Sequence, residues 1–178
     1  MGNRYKAKAL SRKDICRLAK TLRELLGMQE ALYVDVVRLI ELVLPKIDPE
    51  FEVEILENSA MDDMAVTFPE KHKMYIREDT YQGAIKGNGR DRFTIAHEIG
   101  HYILHDVNSI SFARGSEEIK SFESPEWQAN AFAAEFLMPR ALLSGMSQQR
   151  VSTECGVSAQ AAKYQVNAMK KDRIKSHL

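Results

Sequence analysis

The sequence is poor in cysteine, has no long apolar run and carries no excess charge of either sign. Its two cysteines, Cys16 and Cys155, lie far apart, which argues against a disulfide framework and against a cysteine-based metal site. They are typical of free thiols in a reducing compartment. No apolar run reaches the roughly 18–20 residues of a membrane-spanning helix, and the basic N-terminus lacks the apolar core of a signal peptide. We therefore expect a cytoplasmic protein with no membrane partner.

The charge balance also limits the partners. Lysine plus arginine number 25, and aspartate plus glutamate also number 25, so the formal net charge is zero. An extensive nucleic-acid interface usually appears as a basic excess, so the composition disfavours direct nucleic-acid binding, although it leaves room for a local basic patch. With 178 residues, of which 44% are hydrophobic, the chain is long enough for one globular domain with a proper core and a small appendage.

The first part of the chain has helical periodicity. One helix is predicted to begin after Ser11, which has capping-box spacing to Asp14, and the first ten residues are expected to form a loose arm. A second helix is predicted from about residue 31 to residue 44, where Pro45 ends it.

Apolar and polar residues then alternate in three short stretches, at residues 51–55, 64–68 and 74–76. Alternation of this kind, with turn residues between the stretches, predicts a small, mostly antiparallel sheet of three strands. His72 lies in the last of these turns and is predicted to be exposed. Helices combined with one small sheet make an α+β fold.

Residues 91–105, with the sequence DRFTIAHEIGHYILH, form an apolar helical pattern around the motif His97-Glu98-Ile99-Gly100-His101. In a helix, His97 and His101 lie one turn apart on the same face, and two neutral imidazoles at that spacing can bind one Zn²⁺. Glu98 points to the side of the metal, where it can accept a proton from water instead of binding the ion.

This motif is short, and the alternative is an amphipathic helix whose two histidines are surface residues or satisfied core residues. The surrounding segment is apolar, however, and an unpaired polar ring is costly there. A metal would satisfy both rings directly, so the context favours a zinc-dependent hydrolase. The combination of histidine and carboxylate ligands favours zinc over manganese.

A catalytic zinc site needs a third protein ligand and an open fourth position. His105 continues the histidine spacing but lies a further turn along the helix, about 6 Å beyond His101. We therefore expect it at the helix C-terminus or in a hydrogen bond to a ligand. The longer motif HExxHxxGxxH is absent, because Leu104 and Val107 occupy its glycine and third-histidine positions.

The next predicted helix supplies better candidates for the third ligand. Ser124 and the proline after it mark the helix start, and Glu126 and Asn130 share one face. Glu126 can bind the metal, while Asn130 can accept a hydrogen bond from the far nitrogen of a ligand histidine. Glu123 is the main rival but precedes the helix. Glu135 lies more than two turns from Glu126 and is predicted to be a surface carboxylate.

The segments RFTIAHEIGHYILH (92–105) and EWQANAFAAEFLMP (126–139) together resemble two motifs of the ImmA/IrrE family of metallopeptidases. The resemblance implies a zincin-like α+β fold with a gluzincin-like site, in which His97, His101 and Glu126 bind Zn²⁺ and Glu98 is the general base. It also implies a cytoplasmic regulatory endopeptidase. Its protein substrate would be a helix-turn-helix transcriptional repressor, whose cleavage derepresses a mobile-element or stress-response operon.

The resemblance does not secure the chain beyond about residue 145. Residues 1–145 are predicted to be the peptidase domain, and residues 146–178 a small helical extension. Gly156-Val157-Ser158 separates two helical patterns like the turn of a helix-turn-helix. The extension could contact DNA, pack as a cap on the peptidase domain or dock the repressor, and the zero net charge favours the last two. Similarly, the polar connection at residues 106–124 could cover the site or be a surface loop.

Two other functions stay open at this point. The protein could be a non-proteolytic, metal-containing module that sequesters a regulator, although a glutamate beside an open metal position argues against a purely structural site. It could also be a DNA-binding regulator, whose affinity would then fall steeply with salt. For the protease, the strand at residues 74–76 is the expected sheet edge that binds a substrate segment as an added strand.

Overall fold

The structure is a computed structural model that describes residues 5–106, 108–112 and 119–175. Its α-helices are α1 (Arg12–Leu25), α2 (Val36–Arg38), α3 (Leu44–Ile47), α4 (Glu78–Ile85), α5 (Gly89–Leu104), α6 (Pro125–Leu137), α7 (Gln148–Cys155) and α8 (Ala159–Lys175). Its strands are β1 (Tyr5–Ala7), β2 (Glu52–Leu56), β3 (Ala65–Phe68), β4 (Lys73–Arg77) and β5 (Ile110–Phe112). This arrangement confirms the α+β fold class. Within the described ranges, no helix has both the length and the apolar character to cross a membrane.

The predicted start of the first helix and the predicted end of the second helix can both be compared with the structure. The capping box at the start of α1 is confirmed, because Ser11 Oγ accepts from the backbone N–H of Asp14, whose side chain accepts from the N–H of Ser11. The prediction that Pro45 ends the second helix is wrong. A π-helical segment (Leu39–Val43) links α2 to α3, and the helix runs through Pro45 to Ile47. The wider π-helical turn accommodates the proline ring and its missing N–H.

The three-stranded sheet has the order β2-β4-β3. The pairing of β3 with β4 is antiparallel, as predicted, whereas β2 pairs with β4 in parallel and corrects the prediction for that strand. β4 takes the central position because it carries the most deeply buried residues of the sheet, Met74 and Ile76. The strand at residues 74–76 is therefore not an edge, and the edges of this sheet belong to β2 and β3.

The N-terminal segment is ordered from Tyr5 onward, so the expectation of a loose arm is wrong for its described part. β1 pairs antiparallel with β5, with Tyr5 opposite Phe112 and Ala7 opposite Ile110. The connection at residues 106–124 thus contains a strand, and a 3₁₀ turn (Ser121–Glu123) follows it. Residues 1–4, 107 and 113–118 lie outside the described residues.

Helices α5 and α6 pack closely because Gly100 has no side chain. A Cβ atom at this position would lie 3.1 Å from the Cα and the carbonyl oxygen of Ala129, which is tighter than ordinary contact. The small residues of α6 complete the close packing, and Ala129 and Ala133 are fully buried. This contact brings the first turns of α6 against the middle of α5.

The C-terminal helices pack on the same body. Arg92 of α5 is fully buried, and its guanidinium donates to the carbonyl groups of Val34 and Cys155. Gly156 ends α7 in the left-handed conformation (φ 59°), and a Cβ atom there would clash with Arg92. Apolar residues of α7 and α8 also join the hydrophobic core of the other helices. The domain boundary near residue 145 stays a prediction.

Candidate metal site

Helix α5 carries the first two candidate ligands on one face. Asn88 caps the start of the helix, where its side chain accepts from the backbone N–H of Arg90, and His105 caps its end. Its opposite face is apolar and fully buried at Ile95 and Ile99. His97 and His101 therefore point away from the core, and their side chains are 15% and 17% exposed.

Helix α6 supplies the candidate third ligand from its first turn. Ser124 is the N-cap and accepts from the backbone N–H of Trp127 at 3.3 Å, as the sequence predicts. Glu126 is the second residue of the helix, and its side chain is 72% exposed. Because Gly100 lets the helices approach, the carboxylate lies directly over the two histidines.

Three side chains meet at this point. The Nε2 atom of His97 lies 3.3 Å from Glu126 Oε2, and the Nε2 atom of His101 lies 3.2 Å from Glu126 Oε1. The two Nε2 atoms are 3.0 Å apart. Among the described residues, the cluster that could hold a metal ion is His97, His101 and Glu126, with ligand atoms all within 4.8 Å of one another. The structure thus brings together the three residues that were predicted as ligands.

Asn130 and His105 contact the far nitrogens of the two histidines. Asn130 Oδ1 lies 3.2 Å from Nδ1 of His97, and Nδ1 of His105 lies 3.0 Å from Nδ1 of His101. The structure thus places both residues in contact with the predicted ligands, and their supporting roles stay a prediction. His105 is buried, and burial is the largest effect that lowers its pKa, to about 4.

A further residue, Gln128, fixes the direction of these hydrogen bonds. Its side-chain NH₂ donates to the carbonyl groups of Lys8 and Phe122, at 2.8 Å and 2.7 Å. Its oxygen therefore faces His105, which donates to it from Nε2 at 3.0 Å. Nδ1 of His105 is then an acceptor for the Nδ1–H of His101, so in the neutral ring of His101 the Nε2 atom carries a lone pair toward Glu126.

Gln128 was not among the site residues predicted from the sequence. The available signal was a glutamine in the apolar stretch of α6, because a buried amide needs hydrogen-bond partners. Gln128 is fully buried in the structure.

Glu98 lies beside the cluster and is only 8% exposed. Burial raises the pKa of its carboxyl group, and the charges of His101 and His97 oppose this shift. The backbone carbonyl of Glu98 accepts from Thr67 Oγ1 at 3.3 Å, which ties this turn of α5 to strand β3.

The electrostatics of the cluster favour a cation. When the rings of His101 and His97 are protonated, their hydrogen bonds to Glu126 hold its pKa far below the usual value, so the carboxylate is ionised. Burial disfavours a charged His97, but the hydrogen bond to Glu126 and the charges of Glu98 and Glu126 raise its pKa overall. In their neutral forms, the two rings present lone pairs on Nε2 beside a carboxylate, and this donor set fits zinc.

Two other carboxylates lie elsewhere. Glu123, the rival third ligand, forms an ion pair with Lys6 at 3.1 Å. Glu135 is 2% exposed, so its prediction as a surface carboxylate is wrong. It is buried between two guanidinium groups, with Arg12 Nε at 3.0 Å and Arg140 Nε at 2.9 Å.

Comparisons with known proteins agree with this geometry. Residues 67–167 match the family model of peptidase M78, described as an IrrE N-terminal-like domain, which confirms the resemblance found in the two helical motifs. A Mycobacterium tuberculosis transcriptional regulator has a similar fold, with a TM-score of 0.52, 15% identity and coverage of 84% of this chain and 45% of that chain. The chain thus spans under half the length of that regulator, and the likeness shows the fold alone. No curated protein matches the chain significantly.

Proposed function

Because the chain belongs to the M78 peptidase family, we propose that it is a zinc-dependent endopeptidase acting on a specific regulatory protein. The observation that carries the proposal is the triangle of His97, His101 and Glu126 beside the buried carboxyl group of Glu98. The combination of three metal-binding side chains, a side open to solvent and a nearby base suits peptide-bond hydrolysis.

In this proposal, zinc is held by the Nε2 atoms of His97 and His101 and by the carboxylate of Glu126. A bound zinc ion supplies Lewis-acid chemistry, since it polarises a carbonyl group and acidifies water. Asn130 and His105 hold the two rings with their Nε2 atoms toward the ion. Because Glu126 is exposed, we infer that the substrate enters from its side.

Glu98 is the general base of the proposed reaction. It follows His97 directly on α5 and is buried, and its backbone carbonyl is tied to Thr67 of β3. Its carboxylate removes a proton from the attacking water and passes it to the leaving amine.

We infer that the substrate chain pairs with strand β3 instead of the strand at residues 74–76. β3 lies at an edge of its sheet, and Thr67 on this strand contacts the backbone of Glu98. A cavity of about 380 Å³ is lined by Thr67, His101 and Glu126. An extended peptide added to the edge of β3 would cross this cavity in front of the site.

The proposed protein substrate is a helix-turn-helix transcriptional repressor, whose cleavage would derepress a mobile-element or stress-response operon. The family resemblance supports this choice. The thiols of Cys16 and Cys155 are both free, which supports a cytoplasmic location for the reaction.

The variant Glu98→Gln tests the proposal directly, because it keeps the ligands and removes the base. Elemental analysis should find about one zinc per chain in both proteins. In cells, new protein N-termini identified by mass spectrometry should appear with the wild type, and cleavage by the variant should be reduced at least about 100-fold. The same new termini at undiminished yield in the variant would exclude Glu98 as the base. Zinc without any new termini in the wild type would favour the non-proteolytic module that sequesters a regulator.

A further inference from the structure

An apolar groove beside the metal site plays no part in the function proposed above. It lies between α5, α6 and α8 and has a volume of about 630 Å³, within the range of ligand-binding pockets. Its apolar lining includes Phe93, Trp127, Ala134, Ala161 and Tyr164. Tyr164 is 69% exposed, so a large aromatic ring borders the groove without being covered. Exposed apolar surface of this kind is typical of a binding site.

The groove is continuous with the candidate metal site. Asn130 lines the groove and also contacts Nδ1 of His97. Trp127, next to the proposed ligand Glu126, lines it as well, and so does Thr94, which lies one helical turn before His97. A protein segment held in the groove would therefore lead toward the reacting groups.

The charged residues that line the groove are all basic. The lining includes Arg12, Arg90 and Lys171 but no aspartate or glutamate among the described residues. Arg12 is neutralised by Glu135 at 3.0 Å. Arg90 and Lys171 are exposed, and neither forms an ion pair with another described residue. These two cations would complement carboxylates on a bound molecule.

The secondary structure around the groove indicates a helical occupant. All three walls are helices, whose backbone groups are already paired, so no strand edge is available for an extended peptide. An occupant must satisfy its own backbone hydrogen bonds, as a helix does. The apolar floor then requires one apolar face on that helix.

We propose that the groove binds an acidic amphipathic helix of the protein substrate, with apolar side chains between α6 and α8 and carboxylates at Arg90 and Lys171. The identity of the bound protein as the substrate rests on the proposed function, whereas the binding itself does not. The groove would select the substrate at a distance from the bond that is cut.

The test measures the binding of labelled model helices to the full chain by fluorescence anisotropy. One helix has leucines on one face and glutamates on the other, and its partner has lysines in place of the glutamates. The Glu98→Gln background prevents cleavage. The wild-type groove should bind the glutamate helix at least about tenfold more tightly than the lysine helix. The double variant Arg90→Glu with Lys171→Glu should reverse this preference.

Two further variants separate charge from shape. Lys46→Glu with Lys170→Glu makes the same change in net charge at exposed residues outside the groove, and it should keep the preference for the glutamate helix. Ala168→Trp fills the groove and should weaken both helices, while circular dichroism confirms that the variant is folded. Equal binding of the glutamate helix by wild type, Arg90→Glu/Lys171→Glu and Ala168→Trp would overturn the proposal.

Evidence that a different molecule occupies the groove would also overturn the proposal. A labelled DNA duplex that binds through Arg90 and Lys171 more tightly than the glutamate helix would identify a nucleic-acid site. Self-association in sedimentation experiments that the double variant abolishes would identify a second copy of the chain. His97→Ala separates the two proposals, because it should remove zinc and cleavage while the groove still binds the glutamate helix.

Discussion

The two histidines of the candidate metal site have supports of opposite character. Nδ1 of His97 contacts Asn130, which is exposed to solvent. Nδ1 of His101 contacts His105, and the chain of hydrogen bonds continues to Gln128, where both supporting residues are buried. The support of His97 thus faces solvent, whereas the support of His101 is connected to the interior.

This difference matters because water can replace an exposed hydrogen bond but not a buried one. If Asn130 is removed, water can still accept from His97 and preserve much of its orientation. If Gln128 is removed, the buried N–H of His105 and the carbonyl group of Lys8 lose their partner, whereas the carbonyl group of Phe122 still accepts from the N–H of Leu10. We therefore expect the site to tolerate changes on the His97 side far better than on the His101 side.

The largest effect is expected for the carboxylate that both histidines share. Glu126→Ala removes one of the three proposed ligands, so zinc affinity should fall by more than about 100-fold, beyond the usual loss for an outer hydrogen bond. Competition with a chromophoric chelator measures this affinity. Glu123→Ala is the matched control, since Glu123 pairs with Lys6 and should leave the affinity unchanged. Equal affinities in the two variants would exclude Glu126 as a ligand.

The next effect tests the buried side of the site. Gln128→Leu should lower zinc affinity by about 10- to 100-fold. It breaks the relay of hydrogen bonds from Gln128 through His105 to His101, which sets the tautomer of His101. The free energy of unfolding should also fall by about 1–3 kcal/mol, because buried polar groups lose their partner. Chelator competition and denaturant unfolding measure the two quantities separately.

Gln165→Leu is a control for Gln128→Leu. Gln165 is also buried, and it donates to the carbonyl of Met138 at 3.0 Å and accepts from Arg12 at 2.7 Å, in a different network. This variant should lose similar stability but keep its zinc affinity. A matching loss of affinity in both variants would mean that Gln128 acts only through general stability, and the relay would then have no specific role.

The sequence predictions succeeded where the residues are close together in the chain and failed where a contact joins distant positions. The faces of His97 with His101, and of Glu126 with Asn130, are set within single helices, where the period of 3.6 residues determines which side chains are neighbours. The relay joins Gln128 to Lys8, which is 120 positions away, and Arg12 meets Glu135 across 123 positions. No local pattern encodes such contacts, so the hydrogen-bond partners of Gln128 and the burial of Glu135 could not be predicted.

Strand pairing was ambiguous for a related reason. The alternation at β2 and β4 indicates which side chains share a face, but it is the same in parallel and antiparallel sheets. The position of β4 between β2 and β3 depends on the packing of Met74 and Ile76 in the core. The fold class therefore followed from the sequence, while the sheet edge next to the metal site required the structure.

A smaller effect is expected on the exposed side of the site. Asn130→Ala should lower zinc affinity only about two- to fivefold, since water can replace the exposed amide oxygen. Asn130→Asp keeps an acceptor and should restore the affinity to at least the wild-type value. A loss as large as that of Gln128→Leu would show that the two sides of the site do not differ.

The smallest effect concerns His72, a half-buried histidine outside the metal site, where the prediction that it is exposed missed a contact. His72 Nδ1 donates to Asp48 Oδ2 at 2.6 Å, and the hydroxyl group of Tyr102 donates to the same oxygen. The hydrogen bond to Asp48 raises the pKa of His72 above its ordinary value of 6.5, and hydrogen bonds from Tyr102 and His72 lower that of Asp48 below 3.8.

The sign of the pH dependence follows from these shifts. The contribution of His72 to stability is complete below pH 6.5 and is lost as the pH rises through its raised pKa, while that of Asp48 is lost only in strong acid. His72→Asn, which tolerates the left-handed backbone at this position, should therefore reduce the free energy of unfolding more at about pH 5.5 than at about pH 8.5. Urea unfolding at both pH values measures this difference. Asp48→Asn should remove the same pH dependence, and a His72→Asn effect that is equal at the two pH values would mean that the charge of His72 does not stabilise the fold.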